Sequence, residues 1–97
     1  MKDLISIVVP CYNEEEALPI FYKTITPILS ALRVEYELVF VDDGSKDGTL
    51  EIAKSYQIRD SRVKVLTKEN GGQGAARNYG VEYSVGEYLL FVEGNDE

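Results

Sequence analysis

Short apolar, β-branched runs alternate with longer stretches of helical periodicity along this chain, and that alternation restricts the fold more than any other feature. It calls for parallel strands joined by helical crossovers. The first run, Leu4 to Val9 (LISIVV), is nearly all apolar, as a strand buried on both faces must be, and Pro10 is expected to end it. From about Glu14 to Leu32 the residues Leu18, Phe21, Tyr22, Ile25, Ile28, Leu29 and Leu32 recur at three and four, which predicts an amphipathic helix. Asn13 and Glu16 have capping-box spacing, and Glu14 to Glu16 place negative charge at the positive end of the helix dipole. Pro19 is tolerable near the first turn; Pro27, on the polar face, predicts a kink.

The second strand is Tyr36 to Val41, stopped by Asp42-Asp43-Gly44-Ser45. Asp47 or Thr49 then caps a helix running to about Gln57, with Leu50, Ala53 and Tyr56 inward. Val63 to Leu66 reads as a third strand and Asn70 to Gly74 as a flexible loop. A third helix follows from about Ala75 to Tyr83, with Gly86 as its C-terminal cap, and Tyr88 to Val92 is the fourth strand. The expected class is α/β: one domain over residues 1–97, an open, mostly parallel sheet with flanking helices. Right-handed crossovers bring the carboxyl ends of the strands together as a crevice. The polar, Gly-rich segments all fall there: Pro10 to Asn13, Asp42 to Ser45, Asn70 to Gly74 and Glu93 to Glu97.

Composition limits the chemistry available in that crevice. No histidine is present, which excludes Ser-His-Asp and Cys-His nucleophile systems and any His-ligated metal within these 97 residues. The single Cys11 can make neither an internal disulfide nor a structural zinc site, and it reads as a small packed residue. Ten Lys and Arg against 17 Asp and Glu give a net charge of −7, which argues against nucleic acid or an anionic membrane as the main partner. No apolar run approaches the roughly 18 residues of a membrane span, and Asp3 and Pro10 do not suit a signal peptide. The chain reads as soluble and cytoplasmic. Carboxylates, amides, hydroxyls and backbone groups are left to do the work.

Each crevice segment admits a structural and a functional reading. Asp42-Asp43 can accept hydrogen bonds from a ribose diol or base edge, or can simply form a turn. In Pro10-Cys11-Tyr12-Asn13-Glu14, Tyr12 can stack on a base and Glu14 reach polar base or ribose groups; the alternative is a strand-helix junction capped by Asn13. No Gly-x-Gly-x-x-Gly follows the first strand, so the dinucleotide fingerprint is missing. Gly72-Gln73-Gly74 opens a helix whose free N–H groups, with Arg77, can hold phosphate, or it is an ordinary loop. Glu93 to Glu97 offers oxygen ligands to Mg²⁺ or Mn²⁺, or is a solvated acidic turn or chain end.

Taken in order and spacing, VVPCYNEEE, VDDGSKDGT, NGGQGAARNYG and GEYLLFVEGND resemble the family 2 glycosyltransferases of the GT-A fold, over Ile5 to Asp96. The resemblance implies a Rossmann-like, donor-binding N-terminal part of an enzyme that transfers a sugar from a nucleoside diphosphate donor to a hydroxyl acceptor, with inversion. It implies Pro10, Tyr12 and Glu14 at the base and ribose, Asp43 with Val41 beside it at the same site, and Arg77 with Asn78 under the donor phosphates. It places Glu93, Asn95 and Asp96 at the metal and diphosphate. Here Asn95 stands where the family's Asp-x-Asp has a carboxylate, so a divalent cation is implied but held by less charge. The catalytic base is expected downstream of Glu97, and the 97 residues alone are expected not to turn over.

Two other readings are open to test. A non-catalytic nucleotide-binding or scaffold module keeps the fold without the chemistry. A receiver-like domain needs an acid at the end of the third strand, and Val63 to Thr67 ends without one. The strand Tyr88 to Val92, if left as an edge, is expected to promote self-association.

Overall fold

A computed structural model describes residues 4–92. Four strands and three helices alternate: β1 (Leu4–Cys11), α1 (Ala17–Ala31), β2 (Glu35–Asp43), α2 (Thr49–Arg59), β3 (Val63–Lys68), α3 (Gln73–Tyr83) and β4 (Tyr88–Phe91). The strands form one sheet in the order β3-β2-β1-β4, and every pair is parallel. The change of direction between β1→β2→β3 and β1→β4 makes a switch point at the carboxyl end of β1, where such folds collect ligands.

Strand alternation sorts the core into two layers. Ile7, Val9, Leu38 and Phe40 point to the face covered by α1 and α2, where they meet Leu18, Leu29, Ala53 and Tyr56. Val8, Val39 and Val41 point to the other face and meet Ala76 and Tyr79 of α3. Phe21 packs edge-on to Phe40 at 6.3 Å, and Tyr22 stacks on Tyr56 at 4.0 Å. The Tyr22 phenol donates to Asp60 Oδ2 at 2.8 Å. Burial and then that carboxylate push its pKa up to about 12.

The amino end of the sheet is held by a buried polar clasp. Ser6 Oγ donates to Glu37 Oε2 at 2.6 Å, the Val85 N–H donates to the same oxygen at 2.8 Å, and the Gly86 N–H donates to Ser6 Oγ at 2.8 Å. Lys64 Nζ pairs with Glu37 Oε1 at 3.1 Å and donates to the Tyr83 carbonyl at 2.8 Å. The clasp therefore grips three backbone groups of the α3–β4 connection.

Several local expectations are corrected. Pro10 does not end β1 but pairs in register with Val41. Leu4 and Val8 turn their carbonyls toward β4, so by alternation the Pro10 nitrogen faces the same side, beyond Phe91 where β4 has ended. The capping box does not form: α1 begins at Ala17 with no acid in its first turn. Asn13 instead sits at φ +53°, donating its N–H to Ser45 Oγ and accepting the Lys46 N–H, because the β2–α2 loop offers unsatisfied groups beside it. Gly86 is not the cap of α3, which ends on Ser84; a side chain at Gly86 would strike Ser6 Oγ at 2.5 Å. Ile28 and Leu32 are exposed, Leu32 because it lies past the helix and Ile28 because it falls at the margin of the stripe carrying Leu29. Helix α3 begins at Gln73 rather than Ala75, and β4 stays an apolar edge, its four residues 40–55% exposed.

Candidate functional site

Three loops meet at the carboxyl end of the sheet: Tyr12 to Glu16 after β1, Gly44 to Gly48 after β2, and Glu69 to Gly72 after β3. Hydrogen bonds tie the first two together. Besides the Asn13 bonds, the Glu14 N–H donates to Thr49 Oγ1 at 2.8 Å and the Gly48 N–H donates to Glu15 Oε1 at 2.8 Å. The second and third loops touch at Gly44, whose φ of +74° suits glycine. A Cβ there would lie 2.8 Å from the Asn70 nitrogen.

Asp43 is the centre of the arrangement. Only 4% exposed, it accepts from Lys68 Nζ at 3.0 Å and the Gly71 N–H at 2.9 Å on Oδ1, and from the Gly72 N–H at 2.9 Å on Oδ2. An ionised carboxylate has about four acceptor positions, and these donors take three of them among the described residues. Burial alone would raise the Asp43 pKa. The Lys68 hydrogen bond, the two glycine amides and the Lys68 charge outweigh it and hold the carboxyl below its usual range.

Asp43 lines a shallow cleft with Pro10, Cys11, Tyr12 and Glu14. Tyr12 is 43% exposed and offers a free aromatic face. Glu14 is half-buried, and burial followed by the nearby Asp47 carboxylate raises its pKa. Burial, then Glu14 and Asp42, pushes the Cys11 thiol far up, so it is a packed thiol and no nucleophile. Asp42 points elsewhere: Oδ2 accepts the Ser45 N–H at 3.4 Å, and buried Oδ1 has no hydrogen-bond partner among the described residues.

The structure thus brings Pro10, Tyr12, Glu14 and Asp43 together. It does not bring the Val41 side chain to the cleft: Val41 shares a sheet face with Asp43 but lies two residues deeper, in the core beneath α3. Arg77, half-buried on α3, lies 6.0 Å from the Phe91 ring. Glu93, Asn95 and Asp96 lie outside the described residues. Among the described residues no group of three or more acidic or cysteine side chains converges on a cation. Residues 4–92 therefore offer acceptors, amides and one aromatic face. Sequence reasoning missed Lys68 and Thr49. The signal for Lys68 was present: a basic residue ending β3 comes into register with Asp43 when the strands are aligned from their apolar runs.

A parallel α/β sheet gathers its ligand sites at the switch point, where this cleft of carboxylate and aromatic groups lies. The family model for glycosyl transferase family 2 matches residues 6–97, and the chain belongs to that family. It is 40% identical over 96 residues to the glycosyltransferase EpsJ of Bacillus subtilis, covering 99% of this chain and 27% of that one. It is 39% identical over 90 residues to a prophage bactoprenol glucosyl transferase homologue of Escherichia coli, covering 92% and 29%. Among solved structures, Staphylococcus aureus TarS (1–349) in complex with UDP matches with a TM-score of 0.77 and 33% identity, over 97% of this chain and 27% of that one. The chain thus spans less than a third of these proteins.

Proposed function

We propose that residues 1–97 are the donor-binding part of an inverting, nucleotide-sugar-dependent glycosyltransferase. The observation that carries this is Asp43: a buried carboxylate, gripped by Lys68 and two glycine amides, that lines a cleft beside an exposed tyrosine. A nucleoside is the ligand such a site suits, since its base presents N–H donors at its edge and a π-face above it. In this reading Tyr12 stacks on the base, Asp43 accepts from its edge, Glu14 reaches the ribose, and the α3 amino end with Arg77 faces the phosphates. The UDP complex of TarS supports a diphosphate donor.

The remaining roles follow from the same reading. Glu93, Asn95 and Asp96 would hold a divalent cation, Mg²⁺ or Mn²⁺, that would offset charge on the diphosphate, and the neutral Asn95 would hold it with less charge. The base that deprotonates the acceptor lies downstream of Glu97, and the acceptor is a glycan, lipid or other hydroxyl compound. No helix of the described residues is long and apolar enough to cross a membrane. A cytoplasmic location, with the whole enzyme at the membrane face, suits a family whose relatives include bactoprenol glucosyl transferases. Alone, the 97-residue polypeptide pairs with itself through the exposed β4 edge.

Calorimetric titration with UDP- and GDP-linked ligands, with and without Mn²⁺, tests the reading. Metal-enhanced binding is expected. Metal-independent binding favours the non-catalytic nucleotide-binding module, and absence of binding removes the donor site altogether. Sugar transfer by the purified 97 residues would overturn the placement of the base.

A further inference from the structure

Lys68 belongs to no assigned role, yet its ammonium is the strongest constraint on Asp43. The head group is largely buried, its side chain 18% exposed, and it donates both to Asp43 Oδ1 at 3.0 Å and to the Glu69 carbonyl at 2.6 Å. Glycine at residue 71 leaves it room there: a Cβ at Gly71 would lie 2.8 Å from Lys68 Nζ. The Gly71 and Gly72 amides then close on the same carboxylate from the α3 side. Three donors from β3 and the β3–α3 loop thus converge on Asp43, which also lines the cleft.

We propose that Lys68 is a positioning residue of the donor site, acting through Asp43: it fixes the carboxylate's rotamer, keeps it an obligate acceptor, and couples it to the loop that begins α3. This rests on the donor-site reading above. The chemistry is one-sided. A carboxylate kept ionised can only accept, so a nucleoside group that meets it must present an N–H or O–H and not a lone pair. Without the ammonium, burial of Asp43 is opposed by two amides only, and protonation turns an acceptor into a donor. Among the described residues the other ionisable groups that line the cleft with Asp43 are Cys11, Tyr12 and Glu14. None of these supplies a positive charge that replaces Lys68.

The test is UDP and GDP binding by calorimetry from acid to neutral pH for wild type, Lys68→Met and Lys68→Gln. Circular dichroism checks each variant's fold, and carbon-detected NMR follows the Asp43 carboxyl. For K68M we expect about tenfold weaker binding at neutral pH. The acid limb of its binding profile should move upward, matched by the Asp43 carboxyl titration. A purely structural role would lower affinity without moving the limb. K68Q keeps a donor but no charge, so it should move the limb like K68M and serves if K68M does not fold. A folded variant with wild-type affinity and limb overturns the inference alone. Wild type that binds neither nucleotide, while its Asp43 titration still depends on Lys68, overturns the donor-site reading and this inference with it.

Discussion

Glu37→Gln isolates what one buried negative charge contributes to the α3–β4 connection. The side chain is isosteric, so no cavity forms, and the amide oxygen can still accept from Ser6 and Val85. Two charge-assisted hydrogen bonds become neutral ones, a loss of about 1 kcal/mol each. The amide nitrogen must then face Lys64. That pair is partly open to water, with the lysine side chain 35% exposed, so screening limits its contribution to roughly 0.5 kcal/mol. The expected destabilisation is about 2–3 kcal/mol, a large share of the roughly 5–15 kcal/mol that holds a domain of this size together. Thermal unfolding should drop by roughly 8–20 °C.

The pH dependence sharpens the prediction. Burial opposes ionisation of Glu37, but the Ser6 hydroxyl, the Val85 amide and Lys64 together hold its pKa below the usual glutamate value. A carboxyl with a depressed folded pKa contributes stability above its unfolded pKa and loses it as pH falls through the folded one. Urea unfolding at neutral pH should separate wild type from E37Q, and the gap should close on acidification below about pH 4. Amide exchange at Val85 and Gly86 should speed up in the variant. A difference under about 0.5 kcal/mol at neutral pH, or one that does not change with pH, would refute the clasp as an electrostatic device.

Gly80→Ala places a Cβ 2.5 Å from Val8 Cγ1 and 3.1 Å from Val41 Cγ2, so it should cost about 1–3 kcal/mol by overpacking, measured by urea unfolding. Gly44→Ala should cost about 1–3 kcal/mol from its positive φ and the approach to Asn70, and should also weaken nucleotide binding. Leu90→Lys, at a half-exposed edge position, should abolish concentration-dependent association in sedimentation while leaving the unfolding midpoint nearly unchanged.

How far these features could be read from the residues depended on the range of the interaction. The element order and parallel sheet follow from runs such as LISIVV and YELVFV, because burial on both faces leaves a continuous apolar stretch that no other local structure explains. Asn13 shows the opposite case. Its spacing to Glu16 fits a local cap, but Ser45 and Lys46 compete for the same groups, and nothing nearby in the chain announces them. Ser6 and Glu37 are single polar residues in apolar strands, and only the register that sets them side by side shows that they satisfy each other. Gly86 looked like a helix stop because it follows α3, whereas its lack of a side chain serves the approach to Ser6. In the cleft, Asp43 and Tyr12 were legible from their motifs. Lys68 was not, because its role appears only when β3 is aligned against β2.

The central claim is that a nucleotide occupies the cleft at the carboxyl end of the sheet. Amide chemical shifts of the labelled 97-residue chain, followed during titration with UDP and then GDP, test it most directly. The account predicts shifts confined to Cys11–Glu14, Asp43, Gly44 and Gly71 to Arg77, and their loss in folded Asp43→Asn. No shifts, or shifts centred on Arg33, Glu35 and Arg62 at the opposite end of the strands, would contradict it.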